Sequence, residues 1–294
     1  MLMNLLLLLV IVQVAQVATF VIPAKHTYLG SSGSSTTAVC STATFPSTSP
    51  DQVIVLADAD AVGSKIRSIV EDAAVKAIAD HGHFYLAIPG GSILKMLVGS
   101  KGEWTKSTTI AYVNHKCVAM DDEKLATHAK AMNLFMKDWE GCNPIVLDGT
   151  ADGPAEAAAY ERKLENLANL PRDSDGLPVF DLALIGVGDD GHVGSLYPNR
   201  DEVLETKKWV LSVEMKDPPS ISLSLPVMAN AKEVVVAACG VSEKYPQGKS
   251  DAMKRAVVNE DETLQSFPAV GLRKSATWVM DEAAASKLGD TYNE

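Results

Sequence analysis

His192 is the residue whose neighbours best equip it for chemistry. It follows a nearly continuous apolar run, Val179 to Val187. The segment around it reads Gly186-Val187-Gly188-Asp189-Asp190-Gly191-His192-Val193-Gly194-Ser195-Leu196-Tyr197-Pro198. An imidazole titrates near neutrality and can take a proton from water. Asp190 or Asp189 can orient the ring and favour its charged form. Gly186, Gly188 and Gly191 also spell the G-x-G-x-x-G of a dinucleotide turn. That reading puts two carboxylates where a pyrophosphate would sit, and the segment comes late, after several strand–helix units. A dehydrogenase, which nicotinamide binding would reveal, is set aside on those grounds. Residue types alone leave a structural hydrogen-bonding role open for His192.

A second segment, Ala87-Ile88-Pro89-Gly90-Gly91-Ser92, also stands where a strand hands over to a helix. Two glycines allow a sharp turn and close approach to a ligand. Free backbone N–H groups and the Ser92 hydroxyl make an anion site; a plain strand–helix turn is the alternative. The question matters because the chain is acidic, with a formal charge of −11. Residues 1–50 contain Lys25 and no Asp or Glu, so the remainder carries 25 basic and 37 acidic side chains, a net of −12. Such a chain has no general attraction for nucleic acid or anionic membranes. An anionic substrate needs a local cluster of cations and amides.

The elements that must position these segments are legible from periodicity. Val62, Ile66, Ile69, Val70, Ala73, Ala77 and Ile78 keep helical spacing over 58–81, opened by Asp58 or Asp60 and stopped at Gly82. Short apolar runs at Phe84 to Ile88, Ile110 to Val113, Val179 to Val187, Glu233 to Cys239 and Thr277 to Met280 predict buried strands. Helical spacing returns at 123–139 and 154–168, and Ile93, Leu94, Met96 and Leu97 begin another helix. Strands alternating with helices predict an α/β fold: one domain over 51–294 with a mainly parallel, open twisted sheet covered by helices on both faces.

The stretch Gly186 to Pro198 resembles the signature of the 6-phosphogluconolactonases, approximately G-x-G-x-D-G-H-x-x-S-L-F-P. Glucosamine-6-phosphate deaminases share the superfamily, but their loop continues F-N-E-P, whereas Ser195-Leu196-Tyr197-Pro198 favours the lactonase branch. Ala87 to Ser92 is similar to the family's phosphate turn. Gly240 to Lys244 resembles its G-x-x-x-K element, and Phe267-Pro268-Ala269, Leu272-Arg273 and Trp278 to Ala285 resemble its C-terminal signature. The matches span about residues 52–288 in the family's order. Two positions depart. Asn114-His115-Lys116 stands where many members have Asp-Glu-Arg, and Ser220 stands where an Arg precedes the strand matched by Ile221-Ser222-Leu223-Ser224.

The resemblance implies a Rossmann-like, NagB-type sheet and hydrolysis of 6-phospho-D-glucono-1,5-lactone without cofactor or metal. It implies His192 and Asp190 as the catalytic pair. Gly90, Gly91, Ser92, Lys116, Gly188, Ser195, Lys244 and Arg273 would bind the substrate, the turn with Arg273 and Lys244 taking its phosphate. Backbone amides near Gly188, or Lys116, would receive the oxyanion. A sugar-phosphate isomerase or deaminase is the alternative, as is a non-catalytic binder, which the two departures would suit. The partner is a small phosphorylated sugar lactone, with no nucleic acid and no membrane for the mature protein. A monomer is favoured.

The first fifty residues read differently. Leu5 to Val12 is an apolar run too short to span a bilayer comfortably, and small residues follow it, as in a signal peptide over 1–19. Residues 20–50 are rich in Ser, Thr, Ala and Pro and resemble a transit peptide. The pair resembles the bipartite leaders of algae with secondary plastids, and implies a plastid; secretion is the alternative. Cys40, Cys117, Cys142 and Cys239 form no C-x-x-C pair and read as free thiols.

Overall fold

The computed structural model describes residues 52–240 and 248–289. The expected leader over 1–50 and the expected phosphate ligand Lys244 lie outside them. In chain order the elements are β1 (Gln52–Leu56), α1 (Ala59–His81), β2 (Phe84–Ile88), α2 (Ile93–Met96), β3 (Thr108–Tyr112), β4 (Asn114–Lys116), α3 (Thr127–Leu134), β5 (Asn143–Pro144) and α4 (Gly153–Glu165). They continue with β6 (Leu182–Gly186), β7 (Val210–Val213), β8 (Ser220–Leu223), α5 (Leu225–Ala229), β9 (Glu233–Ala238), α6 (Ser250–Val257), β10 (Ala276–Asp281) and α7 (Glu282–Ala285).

Helix α1 begins and ends where its sequence dictates. The Asp58 carboxylate accepts from the Ala61 N–H at 2.8 Å, satisfying one of the orphan donors of the first turn. Gly82 closes the helix at φ +83°, a left-handed conformation that costs a glycine nothing. Val62, Ile66, Val70, Ala73 and Ala77 are buried, the stripe that periodicity predicts.

Seven strands form one parallel sheet in the order β1-β10-β9-β6-β2-β3-β5. Every residue of β2 and β3 is buried. Since successive side chains point to opposite faces, both faces are covered. The chain lays β3 and β5 to one side of β2, then returns to lay β6, β9 and β10 on the other. The sheet's switch point therefore falls between β2 and β6, where open α/β sheets bind ligands beyond the strands' carboxyl ends.

Three features differ from the sequence reading. The helix expected after Ser92 is a single turn, and the one expected over 123–139 is an eight-residue helix followed by a 3-10 turn at Met136–Asp138. A second sheet, β4-β8-β7, is antiparallel. Its strands are three or four residues long, too short to leave a clear period. It is fastened over the carboxyl edge of the main sheet, with the Val113 N–H donating to the Ile88 carbonyl and the Leu223 N–H to the Val113 carbonyl, both at 2.8 Å.

Candidate active site

The loops leaving β2 and β6 are neighbours because their strands are. His192 Nδ1 lies 2.6 Å from Asp190 Oδ1, and the same oxygen accepts from the His192 backbone N–H at 3.1 Å. Asp190 rather than Asp189 orients the ring. Burial would raise the Asp190 carboxyl, but its hydrogen bonds and charge interaction with His192 outweigh that and hold it at about 2. Asp190 is thus an anion at any working pH. With Nδ1 engaged, Nε2 is the nitrogen left to meet a ligand.

The glycines make this turn possible for two different reasons. A methyl on Gly188 would come 2.1 Å from His192 Nδ1 and 2.7 Å from Asp190 Oδ1, so the imidazole occupies the space a side chain would need. Gly191 has φ +86°, and a methyl there would strike the Phe267 ring at 2.4 Å. The Ala269 N–H then donates to the Gly191 carbonyl at 3.0 Å. The Phe267-Pro268-Ala269 segment, more than seventy residues downstream, is therefore the buttress of the His192 loop. The Gly188 N–H donates to the His192 carbonyl at 2.9 Å, which commits to loop closure an amide expected to serve an oxyanion.

The Gly90-Gly91-Ser92 turn stands beside this loop. Gly91 is left-handed at φ +87°. Because α2 is one turn long, its dipole is small; donors for an anion are the exposed Gly91 and Ser92 amides and the Ser92 hydroxyl. The Gly90 N–H is taken by Asn114 Oδ1 at 3.3 Å. Asn114 Nδ2 donates to Ser195 Oγ at 3.2 Å, and the Ser195 N–H donates to Ser222 Oγ at 3.1 Å. Gly90, Asn114, Ser195 and Ser222 thus join the turn, the second sheet and the His192 loop.

Lys116 shares with Asn114 one face of β4, two residues on. Its register partner on β8 is Ser220. The two departures from the family pattern are therefore one site: they face each other across a single rung, where two arginines would be close like charges.

The structure gives Arg273 a different task from the expected phosphate contact. Its guanidinium is buried and donates to the carbonyls of Ala256, Arg255 (2.7 Å) and Asn259, closing the carboxyl end of α6. Two other cations, missed from sequence, come to the site. Lys249, buried just before α6, donates to the Val187 carbonyl at 2.5 Å, next to Gly188. Lys216 lies 3.0 Å from the Tyr197 hydroxyl and 4.6 Å over its ring, and that ring lies 4.7 Å from the His192 ring. A basic residue at the start of a helix was the available signal for Lys249; nothing local marks Lys216.

Among the described residues no group of three His, Cys, Asp or Glu side chains could hold a metal ion. No described helix is long and apolar enough to cross a membrane. Cys117, Cys142 and Cys239 are free thiols, and burial pushes Cys117 up to about 12 and Cys239 to about 11.

A histidine–carboxylate pair beside a glycine turn, at the switch point of a seven-stranded parallel sheet, defines an α/β enzyme that acts on a small anionic substrate. The chain belongs to the family of glucosamine-6-phosphate isomerases and 6-phosphogluconolactonases, whose model matches residues 57–280. It is 31% identical over 255 residues to a 6-phosphogluconolactonase of Bos taurus, covering 81% of this chain and 94% of that one. It is 36% identical over 143 residues to 6-phosphogluconolactonase 3, chloroplastic, of Arabidopsis thaliana, covering 46% of this chain and 42% of that one. Its fold matches the crystal structure of 6-phosphogluconolactonase from Leishmania guyanensis with a TM-score of 0.67 at 21% identity, over 81% of this chain and 99% of that one.

Proposed function

We propose that the chain hydrolyses 6-phospho-D-glucono-1,5-lactone to 6-phospho-D-gluconate, a step of the oxidative pentose phosphate pathway. The carrying observation is the His192–Asp190 pair, 2.6 Å apart, on a loop that opens beside the Gly90–Ser92 turn. The relatives named above as 6-phosphogluconolactonases support the substrate.

The Gly91 and Ser92 amides and the Ser92 hydroxyl, with Lys249, hold the phosphate at the end remote from the reaction, and that binding energy positions the lactone carbonyl. His192 Nε2 takes a proton from water, whose oxygen bonds to C1. Asp190 stabilises the imidazolium that forms. Lys116, on the second sheet, offers a charge to the developing oxyanion. As the tetrahedral intermediate collapses, the bond from C1 to the ring oxygen breaks and the imidazolium returns its proton to that oxygen. Water is consumed and one carboxylic acid and one hydroxyl appear.

The test is turnover of freshly generated lactone by the purified chain without added metal, set against spontaneous hydrolysis. Acceleration supports the reading. A folded protein that gives none, and that releases ammonia from glucosamine 6-phosphate, would move the assignment to the deaminases; binding of 6-phosphogluconate without either turnover would make it a binding homologue.

We infer further that residues 1–19 act as a signal peptide and 20–50 as a transit segment, so that a catalytic domain starting near Asp51 works in a plastid. The leader-like composition supports this, as does a relative named chloroplastic. Residues 1–50 fused to a fluorescent protein should label the plastid of an alga with secondary plastids; secretion of the fusion would refute it.

A further inference from the structure

Asn114 is half-buried between the two loops of the site and makes one hydrogen bond to each. Its amide can lie only one way round. The Gly90 N–H is a donor without acceptor capacity, so Oδ1 must face it and Nδ2 must face Ser195. Nδ2 is a donor only, so the Ser195 hydroxyl accepts there and its own proton points elsewhere. The remaining links run in the same sense, with the Ser195 N–H donating to Ser222 Oγ and the Ser222 hydroxyl donating to the Leu223 carbonyl at 3.0 Å. Ser222 is fully buried, so water does not scramble the direction at its end of the chain of bonds.

We propose that Asn114 is a positioning residue that fixes the polarity of the Ser195 hydroxyl, making it a donor to the phosphoryl end of the ligand. The proposal rests on the sugar-phosphate reading above. A phosphate is almost purely an acceptor, and the groups around this end are then all donors: the Gly91 and Ser92 amides, the Ser92 hydroxyl and the Ser195 hydroxyl. A carboxylate at 114 would keep the bond to the Gly90 N–H and nearly the same shape. It would accept the Ser195 proton, turn a lone pair of that hydroxyl toward the ligand and add a negative charge beside the anion turn. The choice of amide over carboxylate therefore sets what the site can hold without altering its frame.

The experiment is a double-mutant cycle on the full chain with Asn114→Asp, Ser195→Ala and the pair, reading KM and kcat for the lactone and, separately, calorimetric binding of the product 6-phosphogluconate. Asn114→Asp is expected to weaken product binding and raise KM at least about tenfold, with kcat within about threefold. Ser195→Ala should cost less, and adding it to Asn114→Asp should change binding less than about twofold, because the hydroxyl has already lost its donor role. Asn114→Ser, which keeps a small hydroxyl at the position, should fall between wild type and Asn114→Asp. Unchanged KM and product binding in Asn114→Asp would overturn the proposal, and so would fully additive effects of the two substitutions. Unchanged thermal midpoints separate these outcomes from misfolding. If wild type binds the product but does not accelerate lactone hydrolysis, the catalytic reading fails while the binding arm still decides the role of Asn114.

Discussion

At the scale of single residues, the site depends on which atoms are already engaged. His192 Nδ1 is held by Asp190, so Nε2 is the nitrogen left for the proposed proton transfer. His192→Ala is expected to lower kcat by about 10² to 10⁴ while KM changes little, since general acid–base help is worth that much; a rate equal to wild type would remove His192 from the mechanism. Asp190 keeps its proton off down to about pH 2. Its depressed value means that its stabilising contribution is present above the ordinary carboxylate range and is lost as pH falls through about 2. Between pH 4 and 8 it does not titrate, so Asp190 adds no proton of its own to the pH profile of kcat/KM. Asp190→Asn should lower kcat/KM throughout that range without changing the number of protons in the profile. A profile that loses one proton in Asp190→Asn would contradict this pairing.

At the scale of elements, the His192 loop is shaped by what it excludes. Gly188 leaves room for the imidazole, and Gly191 supplies a left-handed turn under the Phe267 ring. Gly188→Ala is expected to cut kcat by about tenfold or more with modest loss of stability, because a 1 Å displacement of a catalytic group is costly. Gly191→Ala combines an unfavourable φ with a clash and should destabilise the fold by about 1–3 kcal/mol as well. Comparing unfolding midpoints with kcat separates the two glycines. The junction of β9 and α6 contributes Lys249. Lys249→Met should raise KM by about tenfold to a hundredfold and spare kcat, the value of a charged hydrogen bond to a remote phosphate. A loss confined to kcat would place that ammonium at the reacting end instead.

At the scale of the whole molecule, the second sheet is locked to the rest through a buried histidine. His115 Nδ1 donates to the Lys116 carbonyl at 2.6 Å, and Nε2 accepts from the His128 N–H at 3.0 Å, which joins β4 to α3. The second contact requires the neutral ring, because a protonated Nε2 could not accept; the first is open to either form. Burial lowers the His115 imidazole to about 4, against a smaller opposing effect of its bond to the Lys116 carbonyl. The unfolded chain takes up this proton near pH 6.5 and the folded one only near 4. Stability should therefore be intact above pH 6.5 and fall as pH drops toward 4, by on the order of 3 kcal/mol from this group. Burial shifts His83 and His128 the same way. Denaturant midpoints measured between pH 7 and 4 test this, and His115→Gln should flatten the dependence; an unchanged slope would assign it to other groups.

What the sequence determined by itself was local. Short apolar runs specify buried strands, Asp58 and Gly82 specify the ends of α1, and the glycines around His192 specify a tight loop, because capping and periodicity are properties of adjacent residues. The family resemblance was legible for the same reason, since its motifs are short and contiguous. Tertiary structure decided the rest. It gave Arg273 to the end of α6. It brought Lys249 to Val187 across 62 residues and Asn114 to Ser195 across 81. It also set Lys116 opposite Ser220, turning two scattered departures into one rung. None of these contacts leaves a spacing in the chain. They follow from strand order, which places the loops after β2 and β6 side by side, and from the hydrogen-bonding needs of buried groups that only their final neighbours can meet.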